Sequence, residues 1–102
     1  MSERFLVVYE WSGRNFGGFA PDIPGCAATG ATLDEIRANL RSAIEAHLQW
    51  MAREHDSLPH PSTRKYVPDP ESSEDLDIPG YYYVVELLDV TMPTSHKELA
   101  TA

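Results

Sequence analysis

The feature that most restricts the fold of this chain is one long amphipathic helix, set between segments that favour strands and turns. Thr32 and Glu35 form a T-x-x-E pattern, in which the hydroxyl and the carboxylate each satisfy a backbone N–H at a helix start. Apolar residues then recur at steps of three and four, which gives one stripe for packing on a sheet. The stripe consists of Leu33, Ile36, Leu40, Ala43, Ile44, His47, Leu48 and Met51. The pattern fades near residue 55, where we expect the helix to end. Arg37, Arg41 and Glu45 lie off the stripe, and we expect them on a solvated face of the helix.

Strand-forming residues occupy four segments around this helix. The segments are RFLVVYEW (4–11), FGGFAPD (16–22), CAATG (26–30) and YYYVVELLDV (81–90). The turn residues SGRN indicate that the first two form a hairpin. In DIPGC, Pro24 and Gly25 occupy the middle of a type II turn, because proline presets φ and glycine accepts a positive φ. We therefore predict an α+β fold in the order β-β-β-α-β, an antiparallel sheet with one long helix packed on it.

A chain of 102 residues has room for one domain with one core. We assign that domain to residues 1–92 and expect a flexible tail at residues 93–102, where no core pattern remains. Prolines at positions 59, 61, 68 and 70 exclude a helix from most of the stretch before the last strand. Residues 56–80 are therefore predicted to form a long, acidic, proline-rich loop.

The charge of the chain indicates what kind of partner it favours. There are 16 acidic and 8 basic residues, a formal net charge of -8, and most of the excess lies after residue 55. Because an acidic surface attracts basic ones and repels phosphates, we expect a basic protein as partner and no direct binding of nucleic acid. The alternative is that the acidic half only keeps a small protein soluble.

Several features favour a cytoplasmic location. No run of about 18 apolar residues is present, so no membrane-spanning helix is expected. The N-terminal MSERFLVVYEW lacks the apolar run of a signal peptide. The single Cys26 has no internal disulfide partner and fits a reducing compartment.

The residues that could carry chemistry form no convincing active site. A nucleophilic Cys26 would need a nearby base, and no family signature surrounds any histidine, so we interpret it as a small buried residue. A two-metal nuclease centre would need Glu10, Asp22 and Glu86 to converge. Asp22 has a competing role, because an aspartate that opens a turn can bond its own backbone two residues on. We therefore expect no enzyme, metal or cofactor, and a binding module instead.

Residues 5–62 resemble the N-terminal domain of the HicB antitoxin family. The resemblance rests on PDIPGC followed six residues on by TLDE, a helix of matching length and a closing LPHPS. It implies a partial RNase H-like sheet and inhibition, without catalysis, of a small basic HicA toxin that cleaves RNA. The motif positions that it marks as determining the fold are Pro21, Asp22, Pro24, Gly25, Cys26, Gly30, Thr32 and Glu35.

The C-terminal part departs from many members of that family. Residues 63–102 lack the length and basic charge of a DNA-binding segment. An alternative to the antitoxin is therefore a solitary oligomeric binding scaffold that has no toxin partner. The acidic candidates for partner binding are Glu71, Glu74, Asp75 and Asp77. The apolar candidates for an interface in a homo-oligomer are Tyr81, Tyr82, Tyr83 and Val85.

Overall fold

A computed structural model describes residues 2–67 and 80–93 of the chain. Its elements follow the predicted order, with three strands, one helix and a last strand. They are β1 (Ser2–Trp11), β2 (Phe16–Phe19), β3 (Ala27–Gly30), α1 (Leu33–Arg53) and β4 (Tyr82–Thr91). The α+β prediction is confirmed, and the strands differ from the predicted bounds only near their ends.

The four strands form one antiparallel sheet in the order β3-β2-β1-β4. The predicted hairpin of β1 and β2 is present, with Val8 opposite Phe19. The last strand pairs with β1 over its whole length, from Ser2 opposite Thr91 to Trp11 opposite Tyr82. Among residues 2–67 and 80–93, the edge strands of the sheet are therefore β3 and β4.

The helix covers one face of this sheet and encloses the core. Its buried positions are Ile36, Leu40, Ile44 and Leu48, all members of the predicted stripe. They pack with Phe5, Val7 and Tyr9 of β1 and with Leu88 and Val90 of β4. Successive side chains of a strand point to opposite faces, so the stripe and the alternate strand positions together make a single core between helix and sheet.

The start of the helix is built as the capping pattern predicts. The Thr32 hydroxyl accepts a hydrogen bond from the Glu35 backbone N–H at 3.1 Å. The Glu35 carboxylate accepts one from the Ala31 N–H at 3.2 Å. In the usual capping box the donor is the N–H of the N-cap residue, which here is Thr32. Two N–H groups at the helix entry are thus satisfied.

The opposite, outer face of the sheet is partly covered by the chain that follows the helix. Leu6 and Val8 point to this face and are buried, with 2% and 0% of their surface exposed. The ring of Tyr66 lies 5.7 Å from that of Phe19 and 5.3 Å from that of Tyr83. Residues 61–66 therefore cross the outer face, and this part of the predicted loop is anchored on the domain.

One expectation about the helix is incomplete. Arg37, Arg41 and Glu45 lie off the stripe and are partly exposed, and all three side chains also bond β4. The Arg37 guanidinium bonds the Glu86 carboxylate at 2.8 Å, Arg41 Nε donates to the Asp89 carbonyl at 3.0 Å, and the Glu45 carboxylate accepts from the Thr91 N–H at 2.7 Å. The stripe pattern alone could not show this, because it marks only the apolar side of a helix.

Candidate partner-binding surface

Most of the motif residues lie in the turn that precedes β3. Gly25 has φ +85°, as its place after Pro24 predicts. The Ile23 N–H bonds the Ala20 carbonyl at 3.0 Å, and the Ile23 side chain is 1% exposed. This turn therefore docks on the core and holds β2 and β3 at a fixed spacing.

Asp22 joins this turn to the segment after the helix. Its carboxylate accepts from the N–H and hydroxyl of Ser62 at 2.8 and 3.0 Å, and from the N–H and hydroxyl of Thr63 at 2.8 and 2.6 Å. Burial raises the pKa of the carboxyl, but the bonds from Thr63 and Ser62 outweigh it, so the pKa falls from 3.8 to about 2. The prediction that Asp22 bonds its own turn missed this contact, since its partners lie 40 and 41 residues away.

Gly30 is the point of closest approach between β3 and the helix. A Cβ at this position would lie 2.5 Å from the Ile36 nitrogen and 2.8 Å from the Ile36 Cα. Since only glycine fits against the helix backbone here, the first turn of α1 can lie directly on the end of β3.

The aromatic residues of β4 lie on two different faces of the sheet. Tyr83 points to the outer face, whereas Tyr82 packs on the helix side, with its ring 6.4 Å from that of Trp11 and 6.1 Å from that of Phe16. Tyr81 precedes the strand and donates its hydroxyl to the Glu10 carboxylate at 2.5 Å. The four residues suggested for an oligomer interface therefore do not form one surface.

Three apolar side chains of β4 do share the outer face. Tyr83 is 37%, Val85 38% and Leu87 50% exposed, and sequence reasoning omitted Leu87. Strand alternation could have found it, because Tyr83, Val85 and Leu87 are spaced by two residues. We call these three residues the β4 outer row.

A polar cluster between helix and sheet fixes β4 from the other face. Glu86 accepts from the Tyr9 hydroxyl at 2.5 Å and from Arg37 at 2.8 and 3.2 Å. Burial raises the pKa of Glu86, but the bonds from Arg37 and Tyr9 outweigh it and the net shift is downward. Tyr9 itself is fully buried, and burial, with the neighbouring Glu86 carboxylate, raises the pKa of its hydroxyl. These charges are paired within the chain and hold β4 under the helix.

The acids proposed for a nuclease centre do not converge. Glu10 points to the outer face, Glu86 points to the helix, and Asp22 bonds Ser62 and Thr63. Within residues 2–67 and 80–93, no three histidine, cysteine or acidic side chains could hold a metal ion. The described helix α1 is not apolar enough over a sufficient length to cross a membrane.

Cys26 occupies the buried position that we expected. It is 7% exposed within the core cluster, and burial raises the pKa of its thiol. A raised pKa lowers the thiolate fraction, which is the reactive form.

We therefore predict that Cys26 in the native chain reacts with a thiol reagent at least about tenfold more slowly than in the chain unfolded in urea. The rate of colour release from an aromatic disulfide reagent at neutral pH measures this. Equal rates in the two states would show that the thiol is accessible and reactive.

Glu71, Glu74, Asp75 and Asp77 lie outside the described residues. So do residues 94–102 of the tail that we expected at 93–102. The candidate surface in the structure thus consists of the β4 outer row, the segment at 61–66 and the turn that Asp22 ties to it.

The described fold is that of a small α+β domain with one helix on a four-stranded antiparallel sheet. The family model described as "HicB_like antitoxin of bacterial toxin-antitoxin system" matches residues 5–98. The chain belongs to this family of HicB-like antitoxins.

Solved structures and sequence relatives are similar to this chain. The N-terminal domain of the antitoxin HicB from Burkholderia pseudomallei has a TM-score of 0.59 and 24% identity, covering 92% of this chain and all of that one. A chain of the "HicA3 and HicB3 toxin-antitoxin complex" has a TM-score of 0.61 and 25% identity, with the same coverage.

Two sequence relatives match shorter stretches. A 14.9 kDa protein encoded in the rep-hol intergenic region of Haemophilus phage HP1 is 30% identical over 80 residues, 72% of this chain. A UPF0150 protein of Thermotoga maritima is 32% identical over 44 residues, 43% of this chain. The matches span 60% and 59% of the lengths of these two relatives.

Proposed function

We propose that this chain is a non-catalytic antitoxin that binds and inhibits a small basic HicA-type toxin. The family resemblance implies that this toxin cleaves RNA. The observation that carries the proposal is the likeness of 92% of the chain to a chain from a HicA3–HicB3 toxin–antitoxin complex, at a TM-score of 0.61. The family match over residues 5–98 supports the same role.

The charge of the chain suits such a partner. Its net charge of -8 is concentrated in the C-terminal half, where Glu71, Glu74, Asp75 and Asp77 lie within seven residues. An excess of acidic groups increases the encounter rate with a basic protein and disfavours direct contact with nucleic acid. We assign the first contact with the toxin to these four residues, on the basis of the sequence.

The rigid part of the domain supplies the frame for this contact. The Asp22 bonds and the turn at Pro24 and Gly25 hold the segment 61–66 on the sheet before any partner arrives. A surface formed in advance loses little conformational freedom on binding. The motif residues therefore act by fixing the fold, and we do not assign them contacts with the toxin.

The first test is a pull-down of the tagged chain from its native cells at low salt, with intact-mass analysis of what is recovered. The expected result is a small basic protein in a fixed ratio, whose RNA cleavage stops when the chain is added. Recovery of the chain with no such protein, together with no inhibition of a purified HicA-type toxin, would contradict the proposal.

A charge variant tests the acidic residues. Replacing Glu71, Glu74, Asp75 and Asp77 by their amides should slow association with the toxin and flatten its dependence on salt, because screening then has less attraction to remove. Stopped-flow or surface-based kinetics at several salt concentrations measure both effects.

A matched control removes the same number of charges elsewhere. Amide substitution of Glu3, Asp34, Glu54 and Asp56 gives the same net charge, and these side chains lie outside the acidic segment. The control should associate faster than the test variant. Equal rates would show that total charge, and not this segment, steers the encounter.

The β4 outer row favours a second candidate function. An exposed apolar row on an edge strand suits an oligomeric binding scaffold that works without a toxin. A defined oligomer that neither recovers nor inhibits a toxin would support the scaffold over the antitoxin. For either role we propose a cytoplasmic location and no cofactor.

A further inference from the structure

A cavity lies on the outer face of the sheet, where the segment 61–66 passes the start of β1 and the end of β4. Its volume is about 520 Å³, within the range of about 300 to 1,000 Å³ that is usual for small-molecule sites. The residues that line it are Ser2, Glu3 and Arg4 of β1, Asp89 of β4, and Pro61 and Arg64 of the segment. We call this space the outer cavity.

The charges that face the outer cavity do not cancel. Arg4 and Asp89 point to the outer face of the sheet, and they pair with each other at 3.0 Å. Glu3 is one position out of phase with Arg4, so its side chain points to the helix side. Among the described lining residues, the positive charge of Arg64 is therefore left uncompensated.

Arg64 differs in this respect from the arginines of the helix. Arg37 and Arg41 bond acceptors of β4. Within residues 2–67 and 80–93, no acceptor bonds the Arg64 guanidinium. A guanidinium carries five N–H donors and no acceptor. In a chain of net charge -8, Arg64 thus offers a full set of charged donors at the side of a cavity.

The sheet side of the cavity supplies further donors. The bond from Arg4 to Asp89 is made by Nε, which is one of the five donors of that guanidinium. The Ser2 hydroxyl lies on the same face of β1 as Arg4. A guanidinium can bond two oxygens of one carboxylate or phosphate group at once. Donors on both sides of the outer cavity therefore suit an oxyanion.

The contacts of Asp22 fix the segment side of the cavity. The Asp22 carboxylate accepts from the N–H groups of Ser62 and Thr63 at 2.8 Å each. These two residues lie between Pro61 and Arg64 in the chain, so each lining residue of the segment is next to an anchored one. A site that is formed before its ligand arrives loses little conformational freedom on binding.

We propose that the outer cavity binds a small oxyanion, the phosphate or carboxylate group of a small molecule, between Arg64 and Arg4. Arg64 makes the main contact, because its charge is not compensated within the described chain. Arg4 and Ser2 donate from the sheet side. The bound anion joins the segment 61–66 to the start of β1. This site requires neither a toxin nor a second copy of the chain.

The test is a titration of the full chain with inorganic phosphate at constant ionic strength and neutral pH, followed by the NMR shifts of the backbone N–H groups. The expected result is saturable shifts at residues 2–4, 61–64 and 89, with a dissociation constant of about 1 to 10 mM for this minimal ligand. Saturation by neither phosphate nor acetate would overturn the proposal. So would shifts spread evenly over all basic residues.

A parallel titration with acetate distinguishes the two sources of the oxyanion. Tighter binding of phosphate would indicate a phosphate ester as the ligand. Tighter binding of acetate would indicate a carboxylic acid. Both results support an oxyanion site, because both groups use the same guanidinium donors.

A charge variant tests the main contact. Arg64→Gln should raise the dissociation constant for phosphate by about tenfold or more, because it removes the charged pair of donors. The matched control is Lys65→Gln, which removes the same charge from the next residue, outside the cavity lining. The control should bind phosphate like the natural chain, and circular dichroism checks that both variants are folded. Equal losses in the two variants would overturn the site, because the general charge of the segment would then explain binding.

A third variant tests whether the site is formed in advance. Asp22→Asn should weaken phosphate binding severalfold, because it loosens the segment that carries Arg64. Coupling between two contacts is reciprocal, so phosphate should slow hydrogen exchange at the Ser62 and Thr63 N–H groups of the natural chain. A dissociation constant that Asp22→Asn leaves unchanged, with no slowing of exchange, would show that the anion does not bind against this segment and would overturn the proposal.

Discussion

Gly30→Ala should lower the free energy of unfolding by about 3 kcal/mol, near the upper end of the cost of overpacking a core. The new Cβ would lie 2.5 Å from the Ile36 nitrogen and 3.0 Å from the Glu35 carbonyl carbon. Both are backbone atoms of the first helical turn, so no side-chain rotation relieves the clash. The helix start must move, and with it the buried Ile36 side chain. Urea unfolding followed by circular dichroism measures the loss.

Gly17→Ala is the control for this prediction. Gly17 lies opposite Thr29 in the same pair of strands, and a Cβ there meets nothing within 4 Å. This variant should unfold at the same urea concentration as the natural chain or a slightly higher one, since alanine restricts the unfolded chain more than glycine does. Equal losses in the two variants would mean that the cost comes from strand geometry and not from the helix contact.

Asp22→Asn should destabilise the chain by about 1 to 2 kcal/mol at neutral pH, a value discounted for the partial exposure of the site. The amide keeps only one acceptor oxygen for the donors of Ser62 and Thr63, and its NH₂ group faces them. The segment 61–66 should then loosen. Hydrogen exchange at the Ser62 and Thr63 backbone N–H groups should be faster, and chemical unfolding should give the loss of stability.

The pH dependence of this variant has a defined sign. The pKa of Asp22 is about 2 in the folded chain against an ordinary 3.8. The contribution of this carboxylate to the free energy of unfolding is therefore complete above about pH 4 and is lost as the pH falls toward 2. The difference in stability between the natural chain and Asp22→Asn should shrink over that window. A constant difference down to pH 2 would show that the Asp22 charge is not what stabilises the contact.

These two sites show how two of the motif residues fix the geometry of the domain. Gly30 sets the helix against β3, and Asp22 sets the segment 61–66 against the sheet. Gly30 and Asp22 can therefore be essential for the structure of the domain without touching a partner. Under the proposed toxin binding, a loss of binding in either variant should therefore accompany a loss of structure, whereas a loss in the amide variant of residues 71–77 should not.

Features that depend on near neighbours in the chain could be predicted from the amino-acid sequence alone. The Thr32 cap, the stripe from Ile36 to Leu48 and the positive φ of Gly25 were all predicted, and the structure has them. Each depends on residues within a few positions, where the backbone geometry is already fixed by chemistry. The strands could be predicted for the same reason, because strand signals also depend on neighbouring residues. Their number and order, together with the single helix, predicted one helix packed on one sheet.

The bonding partners of the polar residues could be assigned only from the folded domain. Arg37, Arg41 and Glu45 bind β4 across 49, 48 and 46 residues of chain, and no local pattern marks such partners. The same holds for the face on which each β4 tyrosine lies. These features depend on which strands become neighbours and on where a helix flank meets a sheet edge, and the packing of the whole domain sets both.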